Sequence, residues 1–468
     1  VSEQLRAARS AVTLGSSLLV TSVVALGVRL LLPRVLGPSA FGELRLAESF
    51  AEMLFVFLSF GVDQQLRREA ALNPERARAY LTGLALWRLG LAVVGIAALT
   101  GVLGLTGASP TVIGIFAVVA IGQTFLVLNN SLAAYEHAAG DVAWLARTNF
   151  GIKLLWAGAM LAALAGLGTA FALAVVGASV EAIRFGWLLI RGRRRHALHL
   201  RPDLGLAGAA IVASAPYFIH LLAHSLYARL GIGWLGAVAT ETEVGLFSAA
   251  ATFAGVALLG MPLLSWVLVP SASRAAAGAP DAFDTLVAGA LRTSLLGAVP
   301  LAFLFHVTAP DLLSLAFGEP FRPAANILRL LAPTFALAYV STVCAIVLLQ
   351  REQVRLVAAI SIGGLVVTAG LDALLIPTWG AEGAALATLL TEVIVTGLLV
   401  WAARPAWHRA SLGRTCVALG AASLVGGIVF VFVPLPAVAV GVFLFIVLVS
   451  GGVTTEDIGT VRTVLEVS

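Results

Sequence analysis

Glu43, Arg45, Glu48 and Glu52 lie in the first half of a stretch, Leu36–Phe60, that is otherwise apolar enough to cross a bilayer. At helical spacing Arg45, Glu48 and Glu52 share one face and can pair with one another. A lipid-facing helix would not carry them, because an ionisable side chain at bilayer depth costs roughly 2.5–3.5 kcal/mol on insertion scales. That face must look onto protein or water, which makes it a candidate site. The plainer alternative is a helix that starts late, with these residues snorkelling at the headgroup level.

Further charges fall inside apolar runs. The first half of the chain contributes Arg29, Arg88, Lys153, Glu181 and Arg184, and the second Arg229, Arg292, Asp372 and Glu392. Arg29, Arg184, Arg229 and Arg292 lie within a turn or two of a run's end, where a long side chain can reach water. Arg45, Arg88, Lys153, Glu48, Glu52 and Glu181 are less easily explained that way. Clustered, they would line a hydrated cavity with an excess of cations, suited to a phosphate or pyrophosphate head group. The expected substrate-binding set is Arg45, Arg88, Lys153 and Arg29. Glu48, Glu52, Glu181, Asp372 and Glu392 are the candidates for carrying a coupling proton or sodium ion, since burial and neighbouring arginines tune a carboxylate. His220 and His224, four apart, have a chelating spacing but no third ligand, so no metal or other cofactor is expected.

These positions must be held by membrane helices. The 468 residues are 60% hydrophobic and 11% charged, with a mean hydropathy of +1.00, far from an ordinary soluble domain. The isoelectric point near 9.7 does not indicate nucleic acid, because the arginines sit in short loops between apolar spans, where they set topology. Cys344 and Cys416 both fall in apolar runs and suggest neither a disulfide nor a metal site. The apolar run from about Ala11 to Leu32 is too long for a signal-peptide core and reads as a retained first helix.

Apolar runs of about 20 residues give fourteen expected spans, near 11–32, 41–61, 80–104, 110–134, 143–165, 168–190, 206–230, 244–269, 285–307, 325–349, 354–376, 382–402, 412–432 and 435–451. Arginines at 67, 68, 76, 78, 191, 193–195, 201, 274, 351, 355, 404 and 409 fall on one side, against little beyond Arg34 and Arg322 on the other. The bias places both termini in the cytoplasm. The expected organisation is an N-lobe over 1–190, a basic cytoplasmic linker over 191–205, a C-lobe over 206–403 and a C-terminal helix pair with tail over 404–468. His196 and His199 among Arg193, Arg194, Arg195 and Arg201 read as a juxtamembrane basic patch attracted to anionic lipid. The lobes also repeat. Gly168-Thr169-Ala170 resembles Gly380-Ala381-Glu382, and Phe41-Gly42 parallels Val244-Gly245-Leu246-Phe247, at an offset of about 205–212 residues. Six spans per unit would relate the halves by an axis along the membrane normal.

Four stretches carry a family resemblance. Leu312–Phe321, with Ala324-Ala325 and Ile327–Pro333 after it, looks like the approach to the tenth helix of polysaccharide flippases. Leu36-Gly37-Pro38 with Phe41-Gly42, Gly61 with Arg67-Arg68, and Pro377–Ala385 follow the same family in the same order. The chain thus resembles the multidrug/oligosaccharidyl-lipid/polysaccharide transporter superfamily. The resemblance implies an all-α polytopic fold of two six-helix lobes in a V around a central cavity, plus a helix pair that accompanies a lipid tail. It also implies arginines that meet a diphosphate, with Arg45 and Arg88 matching by position. The function expected is a flippase moving polyprenyl-diphosphate-linked sugar by alternating access in the lipid bilayer, driven by an ion gradient or membrane potential. A drug or cation antiporter of the same superfamily would favour acidic and aromatic residues over arginine. A polyprenyl-dependent glycosyltransferase would need paired acids in large outer loops, which are not found.

Overall fold

The computed structural model describes residues 2–60, 73–196, 202–213, 215–258, 280–403 and 412–450, with isolated positions between them. Arg67, Arg68, Arg201, Arg274, Arg404, Arg409 and the tail after 450 lie outside the described residues, as do the side chains of His196, His199, His220 and His224. Every regular element described is helical: α1 (Ser2–Ser59), α2 (Pro74–Leu105), α3 (Pro110–Ala138), α4 (Val142–Gly166), α5 (Ala170–His196), α6 (Leu204–Ala213), α7 (Ala215–Val238) and α8 (Glu241–Ala257), then α9 (Pro280–Phe317), α10 (Ala325–Gln350), α11 (Val354–Ala403), α12 (Leu412–Phe432) and α13 (Pro436–Val449). A short 3-10 turn, Glu319–Ala324, joins α9 to α10.

Nine helices among the described residues are long and apolar enough to cross a membrane. The count of fourteen expected spans is not confirmed among these residues, but two expected boundaries coincide with kinks inside α1 and α11, each of which is a pair of helices joined at a glycine. α11 covers 50 residues, enough for two crossings of a bilayer core, as two helices joined at a kink. It breaks at Gly380 (φ 52°, ψ −130°), three residues after Pro377. α1 breaks in the same way at Gly37 (φ 74°, ψ 173°), just before Pro38. Both glycines adopt backbone geometry that a Cβ atom disfavours. At the other extreme α13 is 14 residues long, roughly 21 Å, and falls short of a full crossing.

The repeat seen in the sequence is also present in the turns. Left-handed residues recur at 107 and 318 (φ 77° and 98°), 140 and 352 (85° and 60°), and 168 and 380 (58° and 52°). Five of these six are glycine; the sixth is Glu352.

The chain forms two compact units, Val1–Gly245 and Leu246–Ser468. In the first, α1 packs on α3, α4 and α7, α3 packs on α5, and α6 packs on α2. Helices α6 and α7, which the sequence reading assigns to the C-lobe, therefore lie within this unit. One end is filled by Leu66, Tyr80, Leu84, Leu132, Tyr135 and Leu188. The first turn of α8 crosses α1 so closely that a Cβ on Gly42 would overlap the Glu241 carbonyl, and one on Gly245 would overlap the Pro38 carbonyl. In the second unit α10 packs on both α9 and α11. The C-terminal pair α12–α13 seats on α9, where Phe303 and Phe443 stack with centroids 4.7 Å apart. Val93, Val94, Val366 and Leu374 are each about 70% exposed, as befits side chains solvated by lipid tails.

Candidate functional site

The charged stretch of α1 supplies three members of a four-charge row. Arg45 pairs with Glu48 at 2.5 Å, one turn apart on the same helix face. Glu52, within electrostatic range of Arg45, accepts a 2.6 Å bond from Arg229 on α7. Ser49 adds a bond to the Arg229 carbonyl. The four side chains are each about 30% exposed and sum to zero charge. The face is polar, as expected, but its second cation comes from a residue that the sequence alone placed at a helix end.

A cluster with net charge lies deeper in the same unit. Lys153 on α4 lies within electrostatic range of Arg29 on α1 and of Glu181 and Arg184 on α5. Arg184 bonds the Asn149 side chain at 3.0 Å and pairs with Glu181 at 3.6 Å. Asn129 on α3 donates to both the carboxylate and the backbone carbonyl of Glu181, at 2.8 and 3.0 Å. The Lys153 ammonium sits 4.3 Å from the Trp156 ring centre, a cation–π contact that steadies its long stem. Eleven residues separate Lys153 from the start of α4, and twelve separate Arg184 from the end of α5. Both thus lie about 16–18 Å from a helix end, near the middle of a bilayer core. Three cations face one carboxylate, and the three repel one another unless an anion joins them. A phosphate group meets that need with several acceptor oxygens at once.

Arg88 is elsewhere. Its side chain is fully buried, and all five N–H groups of its guanidinium are engaged by protein. Nε donates to the Leu58 carbonyl at 2.7 Å; the terminal nitrogens donate to the carbonyls of Ser59 (2.8 Å) and Val127 (3.3 Å), to the Ser131 hydroxyl and to Asp63 at 3.2 Å. Ser131 in turn donates to Asp63 at 2.6 Å. Leu58 and Ser59 end α1, so the guanidinium caps carbonyls that the helix leaves without partners. Expected among the headgroup ligands, Arg88 instead ties the end of α1 to α3, with no donor left for a substrate.

The coupling candidates also separate. Glu48, Glu52 and Glu181 are ion-paired, and Glu392 is half-buried on α11. Asp372 is only 1% exposed, and neither of its carboxylate oxygens has a hydrogen-bond partner. One turn before it on α11, Thr368 bonds Thr391 at 3.2 Å. A lone ionised carboxylate is costly in such a place, so Asp372 suits a group that is neutral until it meets a cation.

Known proteins resemble the chain on both levels. A model of the lipid II flippase MurJ family matches residues 245–450. A probable low-salt glycan biosynthesis flippase, Agl15 of Haloferax volcanii, is 23% identical over 173 residues. That match spans 37% of this chain and 37% of the relative. Among solved structures, an inward closed form of MurJ has a TM-score of 0.69 at 12% identity, covering 96% of this chain and 99% of that one. An inward-facing multidrug resistance MATE family transporter has a TM-score of 0.66 at 14% identity, covering 82% and 94%. At these identities the two structures establish a shared fold. The polysaccharide biosynthesis protein family model matches residues 7–276, more than half of the chain, and the chain belongs to that family.

Proposed function

We propose that the chain is a flippase that carries an oligosaccharide on a polyprenyl diphosphate across the cytoplasmic membrane, for cell-surface glycan synthesis. The observation that carries this reading is that Lys153 has Arg29, Arg184 and Glu181 within electrostatic range, with Arg184 paired to Glu181. The excess of positive charge there suits a doubly charged anion. The row of Arg45, Glu48, Glu52 and Arg229 is a wet polar surface over which sugar hydroxyls can exchange hydrogen bonds. Alternating access would come from two repeats, 1–190 and 206–403, rocking about the site, with both termini cytoplasmic and the helix pair after 404 beside the lipid tail. The step is transport and involves no bond chemistry by the protein. The coupling ion is a proton or sodium, and Asp372 is the carboxylate best suited to receive it.

A drug or cation antiporter is the competing reading within the superfamily. A site of three cations and one carboxylate repels a cationic drug, which ranks that reading second. Complementation of a strain lacking its surface-polysaccharide flippase tests the proposal. Lys153→Gln and Arg184→Gln should each abolish complementation while the protein accumulates normally. Full activity of both variants would remove the head-group site.

A further inference from the structure

The hairpin of α4 and α5 carries a second feature, turned away from the Lys153 cluster. A groove of about 760 Å³ runs between the two helices and is walled by Trp144, Ile152, Leu155, Ile183, Trp187 and Ile190. Gly151 and Gly186 contribute no side chain to its floor, and open space lies above both. The apolar walls are half exposed, Trp187 at 56% and Ile183 at 54%. From Trp144 to Leu155 the groove follows α4 for about 16 Å, close to half of a 30 Å bilayer core, which is the depth of one leaflet.

One end of the groove is strongly basic. Arg147 lines it with an exposed guanidinium whose Nε bonds only the Ala143 carbonyl of its own helix. Arg191 lies 3.8 Å over the Trp144 ring and pairs with Asp141 and Glu136; Arg195 also pairs with Asp141, while Arg193 and Arg194 are exposed. Five arginines thus stand against two carboxylates at this end. Tryptophan and arginine are the residues that favour the boundary between acyl chains and head groups, and the opposite end is purely aliphatic.

We propose that this groove is a binding site for one anionic phospholipid, with its acyl chains between α4 and α5 and its phosphate at Arg147. The occupant is set by three matches: the groove's length equals one leaflet, its walls are apolar and indented, and its mouth carries excess positive charge. A polyprenyl chain long enough to cross both leaflets does not share the first match. The site is separate from the proposed transport cluster and does not depend on it.

The test uses the full-length protein in nanodiscs made of equal parts phosphatidylcholine and phosphatidylglycerol. After transfer to detergent, native mass spectrometry counts the lipids retained per chain. One phosphatidylglycerol should stay bound in preference to phosphatidylcholine. Arg147→Gln should lower that preference about fivefold, the factor expected for one basic residue at a membrane surface. Trp187→Ala should shorten retention of both lipids, whereas Arg322→Gln, an exposed arginine in the other unit, should change nothing. Circular dichroism and melting of each variant report whether it is folded. Equal retention of the two lipids, or an unchanged preference in folded Arg147→Gln protein, would reduce the groove to annular lipid contact and overturn the proposal.

Discussion

Replacing Arg88 by alanine separates a structural arginine from a substrate ligand. The change removes five hydrogen bonds, leaves the carbonyls of Leu58, Ser59 and Val127 without that donor, and strands Asp63 beside Ser131. Interhelical hydrogen bonds in membrane proteins contribute about 0.6 kcal/mol each on average and up to about 1.7. Five such bonds give roughly 3–8 kcal/mol, and breaking a buried ion pair by removing one partner costs about 3–5. An expected loss of about 3–5 kcal/mol therefore rests on two independent routes. The assay is paired: melting of the purified protein in detergent, and surface-polysaccharide complementation normalised to the amount of protein in the membrane. Arg88→Ala should lower melting temperature and abundance together, and the protein that survives should transport in proportion. Lys153→Gln should show the reverse, with normal melting and no transport. If Arg88→Ala melts normally and accumulates normally but does not transport, the reasoning is refuted and Arg88 contacts the substrate after all.

Glu52→Arg and Arg229→Glu each place like charges across α1 and α7 and should each destabilise; the double variant should recover. A double-mutant cycle is expected to give a coupling of about 0.5–1 kcal/mol, modest because both groups are partly solvated, and a coupling of zero would show the contact to be adventitious. Glu352→Gly substitutes the residue found at the matching turn, Gly140, and should raise the melting temperature by relieving a left-handed glutamate, a gain on the order of 1 kcal/mol; a lower melting temperature would count against the strain. Asp372→Asn keeps the shape and removes the charge, so it should leave abundance unchanged and make transport in proteoliposomes insensitive to proton and sodium gradients. Retained gradient dependence would place coupling elsewhere.

The parts of the site that sequence made legible are those whose cost is local. Lys153 and Glu181 stand out because any ionisable group in the middle of an apolar run needs an explanation, whatever surrounds it. The same logic marked Arg88 but could not say what held it. Its partners are a carboxylate after α1, a serine on α3 and three backbone carbonyls, and only packing brings these together. Arg184 and Arg229 stay out of the expected site for the opposite reason. On the sequence alone each reads as close enough to a span boundary to reach water, and only the folded chain shows that Arg184 pairs with Glu181 and Arg229 with Glu52. Turn chemistry was more transparent. The repeated Gly168 and Gly380 segments were visible in the letters, and both glycines turn out to be left-handed. The hydropathy boundaries between 32 and 41 and between 376 and 382 fall where Gly37 and Gly380 kink the chain, because a glycine close to a proline is a local signal that the letters carry.

The crossing of α1 and α8 has a reciprocal form: the residue four before each glycine supplies the carbonyl that the other glycine faces. Main chain therefore rests on main chain at both positions. The fit leaves no room for growth, and even one methyl group at either position would hold the joint ajar.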